Sequence, residues 1–459
     1  MISIDKGDLP SPVIVPRSGH PVSRKLISEN ALKVLRRLNS QGYTAYLAGG
    51  AVRDILLGRE PKDFDVVTNA TPEEVKSIFR NAFLIGRRFR IAHIRFRAEI
   101  IEVSTFRALH EPETPDGDKA IQPVTEEDIK DSKRKPLEGR IHTEDGLILR
   151  DNVWGSPAED ALRRDFTVNT LFYNLRDFSI IDYAGGLEDL KKGKLRLIGD
   201  PEERYREDPV RMLRAVRFAA KLGFTIDGPS LVPIAQLKDH ILSANSSRLY
   251  EELKKLWLSD EAEKGYQLMR TTGLFGVLFP ETENWLDIEE GCYPHTFLGH
   301  AFQWIEDEMR SGREVSVPLL FAIILCGPIM AKAKSIQEAA GQKLPAIFPA
   351  VKEVVSGIQS RISIPRRDTE AIKGILYGEQ RFPQIRGKRP FTWVKNPHFA
   401  DAFRYFKMKN SLEGDGGELL AWWDKFLETA EPWSPPKRDY SRKSGRRRRP
   451  RKRTPAKKI

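Results

Sequence analysis

The tightest constraint on this chain is a β-prone run that ends in a glycine pair and is followed at once by a helical turn and a second, alternating run. Residues 43–48 have strand composition, Gly49 and Gly50 end them, 51–57 carry helical spacing, and Gly58 stops that turn. Residues 63–68, DFDVVT, then alternate in the manner of a half-buried strand. Two consecutive glycines permit a backbone path that a side chain would obstruct. On a strand, residues two apart project to one face. Asp63 and Asp65 therefore project together, with Phe64 buried behind them.

Two carboxylates held that close repel unless a cation sits between them. Mg²⁺ suits such a pair, because it takes a few carboxylate oxygens and completes its shell with water and substrate phosphates. The glycine turn lets a triphosphate approach the backbone, and the helix that follows presents an anion-friendly end. The layout is one for two-metal phosphoryl or nucleotidyl transfer. A third carboxylate is expected on an adjacent strand, and Glu102 in the run IIEVSTF is placed to supply it. The competing reading is plain: a lone DxD on a strand is more often a solvated edge, and a glycine pair before a helix is common.

The surrounding pattern predicts a small α+β domain with a mixed sheet. Residues 1–22 are Pro-rich and read as extended; 23–40 read as one amphipathic helix with Leu26, Ile27, Ala31, Leu32, Val34, Leu35 and Leu38 on its apolar side. A helix start at Thr71-Pro72 carries capping-box chemistry with Glu74. Strand-like runs follow at 91–96 and 99–105. His93 in the first of these reads as packed or near substrate. Residues 109–146 are polar and aperiodic and read as a long mobile loop. Beyond Gly199-Asp200-Pro201 the spacing is helical almost throughout. The divisions expected are a head at 23–183, a helical neck at 184–270, a helical body at 271–430 and a basic tail at 431–459.

Charge is concentrated at one end. Residues 434–459 hold 13 of the 76 Lys and Arg and one of the 64 acids, Asp439. The remaining residues carry 63 of each sign and are neutral, so the net charge of +12 belongs to the tail. Arg446, Arg447, Arg448, Arg449, Arg451, Lys452 and Arg453 form its densest run, which would bind RNA in a salt-dependent, sequence-tolerant way. A solvated tail is the alternative. Two cysteines, Cys292 and Cys326, exclude a disulfide framework and fit a reducing, cytoplasmic compartment. No apolar signal stretch opens the chain. The most apolar segment, 317–326, is about half the roughly 20 residues of a membrane helix and reads as buried core. No membrane partner is expected.

Two further clusters bear on chemistry. Arg163-Arg164-Asp165 precedes FTVN, and Asp208-Pro209 precedes a run in which Arg211, Arg214 and Arg217 recur every third residue. Asp208 and Arg211 would share a helix face. They form either a surface salt bridge or a pair presenting hydrogen bonds to a nucleobase, with phosphate contacts from the neighbouring arginines. The run Arg87-Arg88-Phe89-Arg90 reads as a phosphate contact or a solvated patch. Cys292, His295 and His300 lack a fourth metal ligand. Trp422, Trp423 and Phe426 read as core more readily than as a base-stacking platform.

Four ordered segments carry a resemblance: LAGGAVRDILLG, PKDFDVVTNATPEEV, RRDFTVNTLFYN and YREDPVRMLRAVRFAAKLGF. Together they resemble the class II tRNA nucleotidyltransferase and bacterial poly(A) polymerase family, over about residues 13–258 with a looser helical match beyond. Within it the likeness is nearer to the polyadenylating members. The stretch LIGRRFRIAHI, the lead-in VIVPRSGHPVSRKLISENALKVL and the Arg/Lys tail carry that preference. The resemblance implies a nucleotidyltransferase head followed by all-helical neck, body and tail regions. It implies Asp63 and Asp65 as metal-binding catalytic carboxylates, and Asp165 in the active site and at the ribose. Arg164 and Arg214 would contact the nucleotide, Gly49, Gly50, Arg53 and Asp54 would flank the triphosphate, and Asp208 with Arg211 would read the base. The implied reaction is attack of an RNA 3′-hydroxyl on the α-phosphate of ATP, with Mg²⁺ (Mn²⁺ as an alternative) as cofactor. CCA addition to tRNA and a non-catalytic RNA-binding role are the alternatives.

Overall fold

The computed structural model describes residues 9–86, 90–109, 140–142, 148–151, 153–287, 296–341, 346–414 and 416–429. They divide into two compact units, Met1–Lys373 and Gly374–Ile459. The divisions expected at 183 and 270 both fall inside the first unit.

The head is a mixed sheet of eight strands: β1 (Val13–Val15), β2 (Ala45–Ala48), β3 (Asp65–Thr68), β4 (Ala82–Ile85), β5 (Ile91–Arg95), β6 (Ile100–Thr105), β9 (Phe172–Asn174) and β10 (Ile180–Asp182). Their spatial order is β1-β10-β9-β2-β3-β6-β5-β4. Only β3 and β6 are neighbours in parallel; the other pairings are antiparallel. Strand β1 lies in the segment expected to be merely extended, and β4 is a strand that the sequence pattern did not separate from its surroundings. A short ladder of β7 (Arg140–His142) and β8 (Ile148–Asp151) stands apart. It begins inside the segment read as a loop; the rest of 110–146 lies outside the described residues.

Alternation gives the sheet two different faces. Leu47, Val66, Ala92, Ile94, Ile101 and Val103 point into the main core. There they meet helix α1 (Glu29–Ser40), which buries Ala31, Leu32, Val34, Leu35 and Leu38. Each buried Leu, Ile or Val among them contributes roughly 1.5–3 kcal/mol on leaving water. Helix α1 starts later than the apolar spacing suggests, because the Ser28 hydroxyl accepts the amides of Asn30 and Ala31 and sets the N-cap there. Leu26 consequently sits outside the helix and is exposed. The opposite face packs a smaller cluster of Ala48, Val67, Phe106, Ala161, Phe172 and Ile181. Asp65, Glu102 and His93 occupy positions on this second face.

Helices α2 (Gly50–Leu56) and α3 (Pro72–Ile78) follow β2 and β3. The capping box expected at Thr71 and Glu74 is present. Helix α4 (Pro157–Arg163) has its own box from Ser156 and Glu159. After α5 (Gly186–Lys192) and β11 (Lys194–Leu195), the neck is built from α6 (Pro201–Glu207), α7 (Val210–Leu222), β12 (Thr225–Ile226), α8 (Gly228–Gln236) and α9 (Ser246–Trp257). Strands β11 and β12 pair in parallel. Then come α10 (Ala262–Thr271), α11 (Leu274–Leu278), α12 (Pro280–Leu286), α13 (Phe297–Arg310), α14 (Val317–Ala340) and α15 (Ile347–Ile358).

The apolar segment at 317–326 does not stop at Gly327-Pro328: α14 runs on to Ala340. By length and apolarity alone it would pass for a membrane span. Leu319 through Leu325 are fully buried by other helices, so it is a core helix. Two local devices carry it past the break. Pro328 has no N–H to give Ile324, and the Thr282 hydroxyl donates to that carbonyl instead. Gly327 lies where a Cβ would stand 2.1 Å from the Trp285 ring, so only glycine allows the close approach.

Helix α16 (Arg366–Arg381) is followed in the second unit by α17 (Arg389–Val394), α18 (Phe399–Glu413) and α19 (Gly417–Thr429). Their core is aromatic: Phe382, Trp393, Phe399, Phe406 and Trp423. The Trp423 indole N–H donates to the Phe382 carbonyl at 2.9 Å.

Candidate active site

The register of β3 against β6 places Asp65 directly beside Glu102. Strand β5 adds His93 opposite Glu102, and its Nε2 lies 3.2 Å from Glu102 Oε1. Asp63 stands two residues before Asp65, just outside the strand and exposed. Phe64 turns the other way, half-buried against the main core, as alternation requires. Asp65 is open to solvent on one side, yet its pKa is pushed up to about 6. Protein packed around it displaces water, and Glu102 and Asp63 add repulsion; Arg164 and His93 oppose the shift.

A carboxylate disfavoured by two like charges marks a site short of positive charge. Asp63 and Asp65 therefore fit a hard divalent cation such as Mg²⁺. Among the described residues no three His, Cys, Asp or Glu side chains converge into a metal cage. Glu102 lies beside Asp65 in register and meets His93 on its other side.

Asp165 is the second centre. Its Oδ2 accepts from Arg214 Nε at 2.8 Å and Nη2 at 2.5 Å. Its Oδ1 accepts the Phe166 amide at 2.8 Å and the Asn169 side-chain amide at 3.1 Å. Burial alone would raise its pKa, but the Arg214 guanidinium and these donors outweigh burial and hold the carboxyl well below its usual range. Arg214 also approaches Glu252, which Arg217 grips at 2.7 Å. Asn169 extends the chain of contacts in the other direction, its Oδ1 accepting from Arg53.

Gly49 caps α2 with φ +64° and ψ −120°. A Cβ there would lie 3.0 Å from Arg164 Nη1 and 3.3 Å from the Asn169 carbonyl. The glycine therefore lets Arg164 lie against the turn. Arg164 is paired with Asp160 at 3.0 Å and stacked over Phe172 at 5.4 Å, on the Asp65 side of the sheet. The side chains of Arg53 and Asp54 are turned inward: both are buried, paired with each other, and Lys221 approaches Asp54 at 3.9 Å. They brace the glycine turn and do not reach solvent as phosphate ligands would.

The expected partnership of Asp208 with Arg211 is rearranged. Asp208 lies in the junction between α6 and α7, not on α7, because Pro209 forms the N-cap of the second helix. Its two oxygens are taken by Arg248 of α9, at 2.8 and 2.9 Å. Arg211 donates instead to Glu207 and to the Arg204 carbonyl. Both are buried at the same junction and are joined through backbone, Arg211 N to Asp208 O at 2.9 Å.

Three family models match the chain. They are "Poly A polymerase head domain" over residues 45–196, "Probable RNA and SrmB- binding site of polymerase A" over 223–286, and "Polymerase A arginine-rich C-terminus" over 340–458. Poly(A) polymerase I of Salmonella typhimurium is 41% identical over 426 residues, spanning 92% of this chain and 87% of its own. The chain belongs to the bacterial poly(A) polymerase I family. The CCA-adding enzyme of Lactobacillus gasseri matches at 33% over 53% of the chain and 54% of its own, so the poly(A) polymerase likeness is the longer as well as the closer of the two. Among solved structures, the CCA-adding enzyme of Bacillus stearothermophilus in complex with CTP superposes with a TM-score of 0.57 at 23% identity. That match covers 87% of this chain and 81% of the other, and shows that this poly(A) polymerase family member has the nucleotidyltransferase head and helical regions expected of it.

Several residues that build the site gave no local signal. Arg248 and Glu252 lie 40 and 35 residues from their partners Asp208 and Arg217. Asn169 and Asp160 reach their arginines through packing of α4 and the turn after it. Of the other sequence readings, Arg90 pairs with Glu73 at 2.7 Å, whereas 87–89 lie outside the described residues. So do Cys292, His295 and the basic run Arg446, Arg447, Arg448, Arg449, Arg451, Lys452 and Arg453.

Proposed function

We propose that this protein is a polynucleotide adenylyltransferase that adds AMP from ATP to RNA 3′ ends without a template and releases pyrophosphate. The observation that carries the reading is the in-register carboxylate face at Asp65, set over the glycine turn of a chain that aligns with poly(A) polymerase I over 92% of its length. An RNA 3′-oxygen attacks the α-phosphorus, and the bond to the β-phosphate breaks. Asp63 and Asp65 would hold Mg²⁺, which when bound offsets charge on the reacting phosphate oxygens and favours ionisation of the attacking hydroxyl. Mn²⁺ suits the same oxygen donors.

The chain's own residues do the positioning. Arg164 lies along the glycine turn and on the Asp65 face, where it can meet phosphate. Asp165 is held ionised by Arg214 and would take a ribose hydroxyl in exchange for one of the four donors it now accepts. Asp208 is the hydrogen-bond acceptor we assign to the adenine amino group, with Arg211 fixed beside it. The basic tail supplies sequence-tolerant affinity for RNA. A paucity of cysteine and the burial of Cys326 suit a reducing cytoplasm.

Nucleotide incorporation tests the assignment. Purified protein would be given Mg²⁺, each labelled NTP in turn, and either an unstructured RNA or a tRNA lacking its CCA end. Long A-tails on the unstructured RNA with poor CTP use are expected. Two C and one A on the tRNA, followed by a stop, would overturn it in favour of CCA addition. RNA binding without incorporation would leave a non-catalytic binder.

A further inference from the structure

The second unit presents an aromatic surface at the edge of its core. Trp423 is fully buried and anchors the core, whereas its neighbour Trp422 and Phe426 are only partly buried. These two rings stack at 5.1 Å with 9° between their planes. Phe391 of α17 meets Phe426 edge-on at 4.9 Å and is 57% exposed. The exposed part of the ring gains nothing from folding, whereas the rest of it packs on Phe426. Its helix already has its buried face in Pro390, Trp393 and Val394.

Positive charge surrounds this ring. Lys388 and Lys395 stand three residues before and four after Phe391, on the same side of the helix. Arg386 and Arg389 flank it in sequence. All four are exposed, and among the described residues none of their side chains makes an ion pair or hydrogen bond. This is unusual here: Lys407 and Lys409 of the same unit are paired with Asp424 and Glu379. An exposed ring on a stacked aromatic support, bordered by unneutralised cations, is the chemistry that binds unstacked bases and their phosphates.

We propose that Phe391, supported by Phe426 and Trp422 and bordered by Lys388, Arg389 and Lys395, is a stacking site for a base of single-stranded RNA. The site binds substrate RNA, so it rests on the RNA-directed activity proposed above. A purine fits best, since its larger face covers more of the ring.

The test uses the full chain and a labelled single-stranded oligoadenylate, with binding read by fluorescence anisotropy at several salt concentrations. Phe391→Ala is expected to weaken binding about 5- to 160-fold, with the salt slope unchanged. Phe391→Trp should retain affinity. Lys388→Gln with Arg389→Gln should flatten the slope by about 0.7 for each charge removed. Because Phe391 is more than half exposed and packs only at the edge of the core, its variants should stay folded and keep the wild-type KM for ATP. Unaltered affinity of Phe391→Ala would overturn the proposal and leave the patch to a protein partner. An equal loss on a fully paired RNA duplex would also overturn it, because stacked bases cannot use the ring. The assay needs no nucleotide addition: loss of binding by Phe391→Ala in a protein that never incorporates AMP would reject the enzymatic reading and keep this one.

Discussion

Arg248 holds Asp208 by both carboxylate oxygens, at 2.8 and 2.9 Å, from a helix 40 residues further along the chain. The contact fixes the orientation of the Asp208 carboxylate. A planar guanidinium can do this where an ammonium cannot. Arg248→Met should raise the KM for ATP about tenfold, with a smaller change in kcat, because it loosens an acceptor without touching the reacting phosphate. Arg248→Lys should restore only part of the loss. Steady-state kinetics with ATP and CTP in parallel would check this, and an unchanged KM in Arg248→Met would refute it.

The second expectation concerns Asp65. Its folded-state pKa, about 6, lies above the ordinary carboxylate value. Its contribution to stability is therefore fully present below about pH 4 and is lost as pH rises through 6. Asp65→Asn should melt higher than the wild type at pH 8 without metal, while turnover falls at least 10³-fold. Added Mg²⁺ should raise the wild-type melting temperature at pH 8 and leave the variant where it was. Thermal melts at pH 5 and 8, with and without Mg²⁺, provide the comparison. Mg²⁺ stabilisation of the variant equal to wild type would count against Asp65 as a ligand.

Asp165 has the opposite sign. Its pKa is depressed by Arg214 and by the donors of Asn169 and Phe166, so its stabilisation is present above the ordinary value near 4 and is lost as pH falls below it. Asp165→Ala leaves the Arg214 guanidinium without its closest partner and should cost about 3 kcal/mol at pH 7. The gap between wild type and variant should narrow as urea unfolding is repeated at pH 5, 4 and 3. A gap that widens on acidification would contradict the arrangement.

Gly49 tests the turn. Its φ of +64° with ψ −120° is a conformation that essentially only glycine adopts. Gly49→Ala should destabilise by about 1–3 kcal/mol and push Arg164 from the turn. The expected signature is a KM for ATP several-fold higher, read beside a lowered unfolding midpoint. Wild-type values for both would show that the turn has room to spare.

Much of this was legible along the chain. Alternation in DFDVVT, the glycine pair and the capping box at Thr71 are local features, set by one residue and its neighbours within four positions, and each appears where its chemistry puts it. Helix α1 shows the limit of such reading. Its apolar spacing extends back through Ile27 and Leu26, but the Ser28 hydroxyl starts the helix after them, and capping overrides periodicity. Helix α14 shows the same limit in reverse: Gly327 and Pro328 are breakers by themselves, and they are tolerated because Trp285 and Thr282, distant in sequence, fit against them.

By itself, then, the sequence determined which residue types could do phosphate chemistry, where the charged tail lies and which segments alternate or turn helical, since those follow from short-range sterics and composition. Only the tertiary structure decided partnership. The parallel register of β3 with β6 brings Glu102 beside Asp65, and helix packing gives Asp208 to Arg248 and Asp165 to Arg214. It also separated Trp423, buried in the core, from Trp422 at its edge. The physical reason is the same in each case. A side chain's chemistry is its own, but its electrostatic environment and exposure come from groups the chain brings back from tens of residues away.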